Sequence, residues 1–193
     1  MRANLTVILV SVLWVVSEVV LVITKRSQKS AAKAADRGSQ RILWLAILVS
    51  ITGGVFAAST GLGAMPGQRS VWTLVGLLLI LSGLVIRWLA ILTLKESFTV
   101  DIAISPGQRI IDRGIYRFIR HPSYTGSLVS FLGLAITFAN WLSILVIIIP
   151  ITGAFLYRVR IEEAALHQAF GEEYAGYARR TRRFVPFLFL TLL

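Results

Sequence analysis

Five apolar stretches, each near the length needed to cross a lipid bilayer, constrain the fold of this chain more than any other feature. The hydrocarbon core of a bilayer is about 30 Å thick, and an α-helix of roughly 20 apolar residues spans it. The stretches cover residues 4–23, 42–62, 71–94, 123–139 and 141–157. With 56% hydrophobic residues, the chain has more apolar sequence than a soluble domain of this size can bury. The sequence therefore predicts an all-α integral membrane protein with about five transmembrane helices.

The last two apolar stretches are separated by a single polar residue, Asn140. Each stretch has 17 residues, and together they are too long for one crossing. We therefore expect a tight helical hairpin that places Asn140 and Trp141 at one membrane interface.

The basic residues predict the orientation of the chain. Residues 25–41, 95–120 and 158–193 hold 6, 5 and 6 basic residues, which is 17 of the 20 in the chain. With five spans, all three segments lie on the same side, and positive loops favour the cytosol. We therefore expect an amino terminus outside the cell, and a carboxyl terminus and a C-terminal helical segment in the cytosol.

Several classes of site are disfavoured by composition. The chain has no cysteine, which excludes thiolate metal sites, and only two histidines, which disfavours a histidine-rich one, so we expect no bound metal. It has neither a Gly-x-Gly-x-x-Gly motif nor a Walker-type loop. The net charge of +11 lies in bands beside the apolar stretches. That pattern predicts contact with membrane lipids, and we expect no nucleic acid partner.

Two charged residues, Glu18 and Arg87, fall inside apolar stretches. Glu18 precedes Lys25 by seven residues and Arg87 precedes Lys95 by eight, so both lie at about 10 Å depth, at about 1.5 Å per residue. The similar depth predicts a structural ion pair between the first and third spans, although charged groups inside a membrane are also functional candidates.

A polar motif, Arg120-His121-Pro122-Ser123-Tyr124-Thr125-Gly126, stands at the start of the fourth stretch. Proline is favoured at the first position of a helix because it has no N–H to leave unpaired. His121 is thus expected at a helix N-terminus, where free N–H groups and the helix dipole favour an anion. The motif alone fits either a ligand site or an interfacial helix cap.

A second polar cluster follows the fifth stretch, where we expect the helix to continue beyond the lipid. Arg158 and Glu162 lie one helical turn apart on the same face of that extension. Gly171 is expected to end or interrupt the helix. We expect the basic run 179–183 to contact lipid headgroups, and the apolar residues after it to return to the membrane interface.

These motifs together resemble the isoprenylcysteine carboxyl methyltransferase family and, more loosely, the phospholipid methyltransferases. The resemblance covers about residues 108–187. Its motifs are, in order, Arg120-His121-Pro122-Ser123-Tyr124-x-Gly126, Glu162-Glu163-x-x-Leu166, Phe170-Gly171-Glu172-Glu173-Tyr174 and Val185-Pro186-Phe187.

The resemblance implies a methyltransferase that uses S-adenosyl-L-methionine at the cytosolic membrane face. Its acceptor would be the carboxylate of a lipid-linked, prenylcysteine-like substrate. The implied catalytic residues are Arg158 and Glu162, with Arg158 binding the substrate. The implied cofactor residues are Gln108, Arg109, Ile110, Ile111, Tyr116, His121, Pro122, Ser123, Tyr124 and Glu162. We expect one membrane domain over residues 1–193, with three spans in 1–94 and the cofactor loop, hairpin and catalytic segment in 95–187.

Two other functions are consistent with part of the pattern. A phospholipid or small-lipid N-methyltransferase would share the cofactor, but an arginine beside the acceptor does not help an amine nucleophile. A non-catalytic scaffold or small transporter would explain the spans and charges. It would not explain why both polar clusters face the cytosol, and binding of S-adenosylmethionine would discriminate against it.

Overall fold

The structure is a computed structural model, and it describes residues 5–24, 33–95 and 109–184. Six α-helices lie in these ranges: α1 (Leu5–Thr24), α2 (Lys33–Thr60), α3 (Arg69–Leu94), α4 (Pro122–Thr137), α5 (Trp141–Phe170) and α6 (Glu172–Arg180). A short 3₁₀ helix, Gly114–Arg117, precedes α4. The apolar residues after Phe184, which were expected at the membrane interface, lie outside the described residues.

Three of the helices in the described ranges are long and apolar enough to span a membrane, namely those at Gly38–Thr60, Arg69–Leu94 and Trp141–Phe170. The apolar part of α1, Leu5–Leu21, is shorter. Helix α4 has 16 residues, which is about 24 Å of helix. It packs against both α3 and α5, and nine of its 16 residues are buried in the protein. An all-helical membrane fold is therefore confirmed.

Paired glycines allow α3 and α4 to pack unusually closely. A β-carbon added at Gly126 would lie 2.5 Å from Gly83 O and 2.6 Å from Arg87 N. Further along, one added at Gly133 would lie 2.5 Å from Gly76 O. No side chain fits in those spaces, so the backbones themselves are in contact, as small residues permit in membrane helix pairs. This packing fixes the height of the motif at the start of α4 relative to α3.

The predicted helical hairpin is present, and Asn140 separates its two helices. Its side chain accepts a hydrogen bond from Ser143 N at 2.9 Å, which caps α5. It also donates to Leu62 O at 2.7 Å, while Trp141 N donates to Gly63 O at 2.8 Å. The α4–α5 turn therefore lies beside the α2–α3 turn, at the end of the bundle opposite His121.

Helix α5 runs without a break from the apolar stretch into the second polar cluster, as predicted, and carries both Arg158 and Glu162. It ends at Gly171, which has a φ of +52°, a value that favours glycine. Helix α6 then begins with two acidic residues and ends with two basic ones, which matches the helix dipole.

The predicted ion pair between the first and third apolar stretches is confirmed. Arg87 Nη2 lies 2.5 Å from Glu18 Oε2. Arg87 Nη1 also donates to Ser123 Oγ at 2.8 Å and Ser127 Oγ at 3.0 Å. Trp14 Nε1 donates to the second Glu18 oxygen at 3.3 Å. These contacts tie α1 and α3 to the first turns of α4.

Candidate active site

A cavity of about 520 Å³ joins the two polar clusters to the apolar interior of the bundle. Its polar end is lined by residues of the 109–124 segment, the polar C-terminal part of α5 and α6. Its apolar end is lined by side chains of α1, α2, α4 and α5, among them Trp14, Leu43, Ile47, Ile51, Phe131 and Phe155. One cavity therefore offers polar groups at one end and a hydrophobic surface at the other.

Most of the predicted site residues come together in the walls of this cavity, although they are scattered along the sequence. They are Arg109, Ile110, Ile111, Tyr116, His121, Ser123, Tyr124, Arg158 and Glu162. Pro122 is almost fully buried at the first position of α4 and is not part of the cavity wall. Gln108 lies outside the described residues.

Tyr124 connects the two charged residues of α5. Its hydroxyl donates to Glu162 Oε2 at 2.9 Å and accepts from Arg158 Nε at 3.1 Å. Arg158 Nη1 donates to Ser39 Oγ of α2 at 2.9 Å, and Arg158 is only 3% exposed. The guanidinium group is thus anchored by α4 and α2 at the wall of the cavity, while the Glu162 side chain keeps 30% of its surface exposed.

Glu163, which the sequence interpretation left out of the site, holds three segments together behind the cavity wall. Its Oε1 accepts from Arg120 Nε at 2.9 Å and lies 3.2 Å from His121 Nε2. Its Oε2 accepts from Arg183 Nε at 2.9 Å. A carboxylate only accepts hydrogen bonds, so His121 donates through Nε2. Glu163 therefore fixes the orientation of the imidazole ring at the cavity.

The segment after α6 lies against the motif, and the predicted headgroup role of the basic run is wrong for Arg183. Arg182 N donates to Phe118 O at 3.0 Å, and Arg182 O accepts from Arg120 N at 2.7 Å. His121 N donates to Arg183 O at 3.1 Å. These backbone bonds bring the Arg183 side chain to the buried carboxylate of Glu163, where charge pairing is stronger than at the surface.

Arg120, the first residue of the motif, bonds to other parts of the protein. Besides its bond to Glu163, its Nη1 donates to Ala178 O at 2.8 Å and to Thr181 O at 2.5 Å. The last carbonyls of a helix have no partners within the helix, and a cation there also interacts favourably with the dipole. Arg120 therefore anchors the end of α6 beneath the cavity.

Three tyrosines form the part of the wall nearest α6. Burial raises the pKa of Tyr177 to about 12, and it raises the pKa of Tyr116 and Tyr174 further. All three phenols are therefore protonated at neutral pH. Tyr177 donates to Tyr116 O at 2.8 Å, whereas the buried Tyr174 hydroxyl has no hydrogen-bond partner among the described residues. The cavity therefore has a donor available for a bound molecule.

The sequence contained only partial signals for the residues that were missed. Glu163 stands beside Glu162 in the acidic motif, but helical spacing alone does not say that it faces the Arg120-His121 segment. Ser39 lies in the basic, polar first turns of α2 and carries no local signal at all. Its bond to Arg158 joins residues 119 positions apart.

Comparison with known proteins finds a described family that matches part of the chain. Residues 74–168 match the family model described as "Isoprenylcysteine carboxyl methyltransferase (ICMT) family". This range contains α4 and nearly all of α5, but not α1 or α2.

Curated relatives extend the match to 127 residues. A probable protein-S-isoprenylcysteine O-methyltransferase of Oryza sativa subsp. indica is 35% identical over 64% of this chain and 66% of its own length. Protein-S-isoprenylcysteine O-methyltransferase B of Arabidopsis thaliana is 33% identical over 64% of each. The Saccharomyces cerevisiae protein-S-isoprenylcysteine O-methyltransferase is 30% identical, with 49% of its length covered. The chain therefore spans somewhat less than two thirds of its plant relatives and half of the yeast one.

A solved structure shares the fold. It is that of the eukaryotic intramembrane Ras methyltransferase ICMT, with a TM-score of 0.54 and 24% sequence identity. The match covers 83% of this chain and 54% of the solved one. At this identity the likeness concerns the arrangement of the helices.

Proposed function

Because this chain belongs to the isoprenylcysteine carboxyl methyltransferase family, we propose that it transfers a methyl group from S-adenosylmethionine to the carboxylate of a lipid-linked, prenylcysteine-like acceptor. The observation that carries the proposal is the single cavity lined by both polar clusters and by apolar side chains of the spans. An acceptor with a lipid tail and a charged end combines apolar and charged groups in one molecule, as the cavity wall does.

The residues at the polar end of the cavity fit S-adenosylmethionine, which carries an ammonium, a carboxylate, a sulfonium and an adenosine. Glu162 is an anionic acceptor for the ammonium group. The buried hydroxyl of Tyr174 offers a donor without a protein partner in the described ranges. Ser123 and the start of α4 offer donors suited to a carboxylate, and His121, whose Nε2 donates to Glu163, lines the same wall. We assign Arg109, Ile110, Ile111 and Tyr116 to the same end because they line the same wall, and Gln108 by the family resemblance.

Arg158 is proposed to orient the acceptor carboxylate. A guanidinium group repels a sulfonium, and its planar fork matches a carboxylate. Tyr124 and Ser39 hold this fork at the wall of the cavity. An amine acceptor would gain nothing from such a neighbour, so the site favours a carboxylate over the headgroup amine of a phospholipid.

The reaction asks little of the protein beyond positioning and exclusion of water. When bound, S-adenosylmethionine supplies a methyl carbon to which a carboxylate oxygen bonds, while the carbon–sulfur bond breaks and leaves its electron pair on sulfur. A carboxylate is already deprotonated, so no general base is required. Phe155, Leu166 and Phe170 line the cavity near the polar groups and exclude water from the nucleophile.

We propose five transmembrane helices, with α1 and α4 added to the three long spans, and both the site and the carboxyl terminus in the cytosol. Pairing of Glu18 with Arg87 supports α1 as a span, because the pair places α1 beside the last turns of α3. The burial of α4 between other helices supports a span shorter than its neighbours. The basic segments at the His121 end support the cytosolic assignment.

A methyl-transfer assay tests the proposed function. Detergent-purified protein is incubated with S-adenosylmethionine labelled in the methyl group and with N-acetyl-S-farnesylcysteine. We expect label in a product that releases methanol on mild alkaline hydrolysis, as a methyl ester does. Label in a base-stable product from a phosphatidylethanolamine vesicle, with none in the farnesylcysteine, would favour N-methylation instead.

A further inference from the structure

Helix α2 contributes to the candidate active site although it lies outside the residues that match the family model. Five of its side chains line the cavity, namely those of Gln40, Leu43, Trp44, Ile47 and Ile51. A sixth, Ser39, lies next to this row and is fully buried, with 0% of its surface exposed.

Ser39 makes a direct contact with the proposed acceptor-binding residue. Its Oγ accepts a hydrogen bond from Arg158 Nη1 at 2.9 Å. Both residues are buried, Arg158 to all but 3% of its surface. Water is therefore not available to replace this bond, and hydrogen bonds to charged groups in such surroundings are among the stronger ones.

Two hydrogen bonds from different helices restrain the plane of the Arg158 guanidinium group. Nε is held by Tyr124 on α4, and Nη1 is held by Ser39 on α2. Since the group is planar, two anchored nitrogens on different helices leave it little freedom to rotate. Removal of either anchor weakens this restraint.

From this geometry we infer that Ser39 is a positioning residue, through which α2 orients Arg158 toward the acceptor carboxylate. The inference rests on the proposed function, since it assigns Ser39 to the acceptor end of the same cavity. Ser39 acts on Arg158 and does not itself touch the reacting atoms. Loss of the Ser39 hydroxyl leaves the hydrogen bonds of Tyr124 with Glu162 and with Arg158 Nε in place, so we expect it to change acceptor binding and to leave cofactor binding unchanged.

Two serines of α2 provide a matched pair of variants. Ser39→Ala removes the hydroxyl that accepts from Arg158. Ser50→Ala removes an equally buried hydroxyl from the same helix, one that is 1% exposed and has no hydrogen-bond partner among the described residues. Both variants lose one buried oxygen atom from α2, so any general effect on the stability of the helix is common to both.

The test measures three quantities for each variant: the KM for N-acetyl-S-farnesylcysteine, the Kd for S-adenosylhomocysteine by calorimetry, and the thermal unfolding temperature in detergent. Ser39→Ala is expected to raise the KM about tenfold, the factor equivalent to about 1.4 kcal/mol. Its Kd is expected to equal that of the wild type. Ser50→Ala is expected to match the wild type in both.

Equal KM values for the two variants would overturn the role of Ser39, as would a parallel rise in the Kd. If Ser39→Ala does not fold, Ser39→Cys tests the same bond, because sulfur has a similar size but accepts hydrogen bonds weakly. A wild-type protein that methylates no farnesylcysteine would instead contradict the proposed function, which separates the two failures.

Discussion

The hydroxyl group of Tyr124 donates a hydrogen bond to Glu162 Oε2 at a distance of 2.9 Å. The hydroxyl oxygen of Tyr124 also accepts a hydrogen bond from Arg158 Nε at 3.1 Å. One phenol thus links the anion that we assign to the cofactor with the cation that we assign to the acceptor. The start of α4 is thereby connected to the residues that we assign to the cofactor and to the acceptor.

Removal of this link should affect both ligands. In Tyr124→Phe we expect about tenfold weaker binding of S-adenosylhomocysteine and a similar rise in the acceptor KM. Glu162 and Arg158 are both charged, and each loses its hydrogen bond to the Tyr124 hydroxyl. Calorimetry and steady-state kinetics measure the two effects. Tyr157→Phe is the matched control, since Tyr157 is 46% exposed and lies on the same α5 as both charged residues. A change in one ligand alone would show that Tyr124 does not couple them.

Glu163 is expected to contribute chiefly to stability. Its side chain is only 10% exposed and balances the charges of Arg120 and Arg183. Breaking a buried charge pair by removing one partner costs about 3–5 kcal/mol. Glu163→Gln should therefore lower the unfolding temperature in detergent substantially. Glu172→Gln, at an exposed position in the first turn of α6, should lower it little. Equal unfolding temperatures would contradict the central role of Glu163.

Close contact between α3 and α4 predicts that Gly126 tolerates no side chain. Gly126→Ala would place a β-carbon 2.5 Å from Gly83 O, so the two helices must separate and the motif must move. We expect loss of thermal stability and of S-adenosylhomocysteine binding. Gly153→Ala on α5 is the control, because no atom lies within 4 Å of its added β-carbon and alanine is a better helix former. Similar behaviour of the two variants would be evidence against the tight packing.

The proposed orientation is testable because the chain contains no cysteine. Single cysteines at Ala64 and Gln168 are both at exposed positions, and the residues lie at opposite ends of the bundle. An impermeant thiol reagent added to intact cells should label position 64 and leave position 168 unlabelled until the membrane is opened. The reverse pattern would place the site outside the cell.

The helices were predictable from the sequence because long apolar stretches have few alternatives in a membrane. The ion pair of Glu18 and Arg87 was predictable for the same reason, since two opposite charges at one depth need partners. Continuation of α5 through Arg158 followed from the absence of proline and glycine in residues 154–170.

The partners of the site residues were not predictable in the same way. Ser39 meets Arg158 because α2 packs against α5, and no local pattern encodes that contact. Arg183 was assigned to lipid headgroups because a basic run beside a membrane usually contacts them. Its pairing with Glu163 depends on backbone bonds between the segment after α6 and the His121 segment.

Arg158 is assigned to the acceptor and Glu162 to the cofactor. A kinetic comparison of Arg158→Ala and Glu162→Gln tests these assignments most directly. Acceptor KM and turnover are measured with N-acetyl-S-farnesylcysteine, and cofactor affinity with S-adenosylhomocysteine. We predict that Arg158→Ala raises the acceptor KM or lowers turnover, while cofactor affinity stays near that of the wild type. Glu162→Gln is predicted to lower cofactor affinity and to leave the acceptor KM unchanged. Equal loss of cofactor affinity in both variants, with acceptor dependence unchanged, would contradict the assignment of Arg158 to the acceptor.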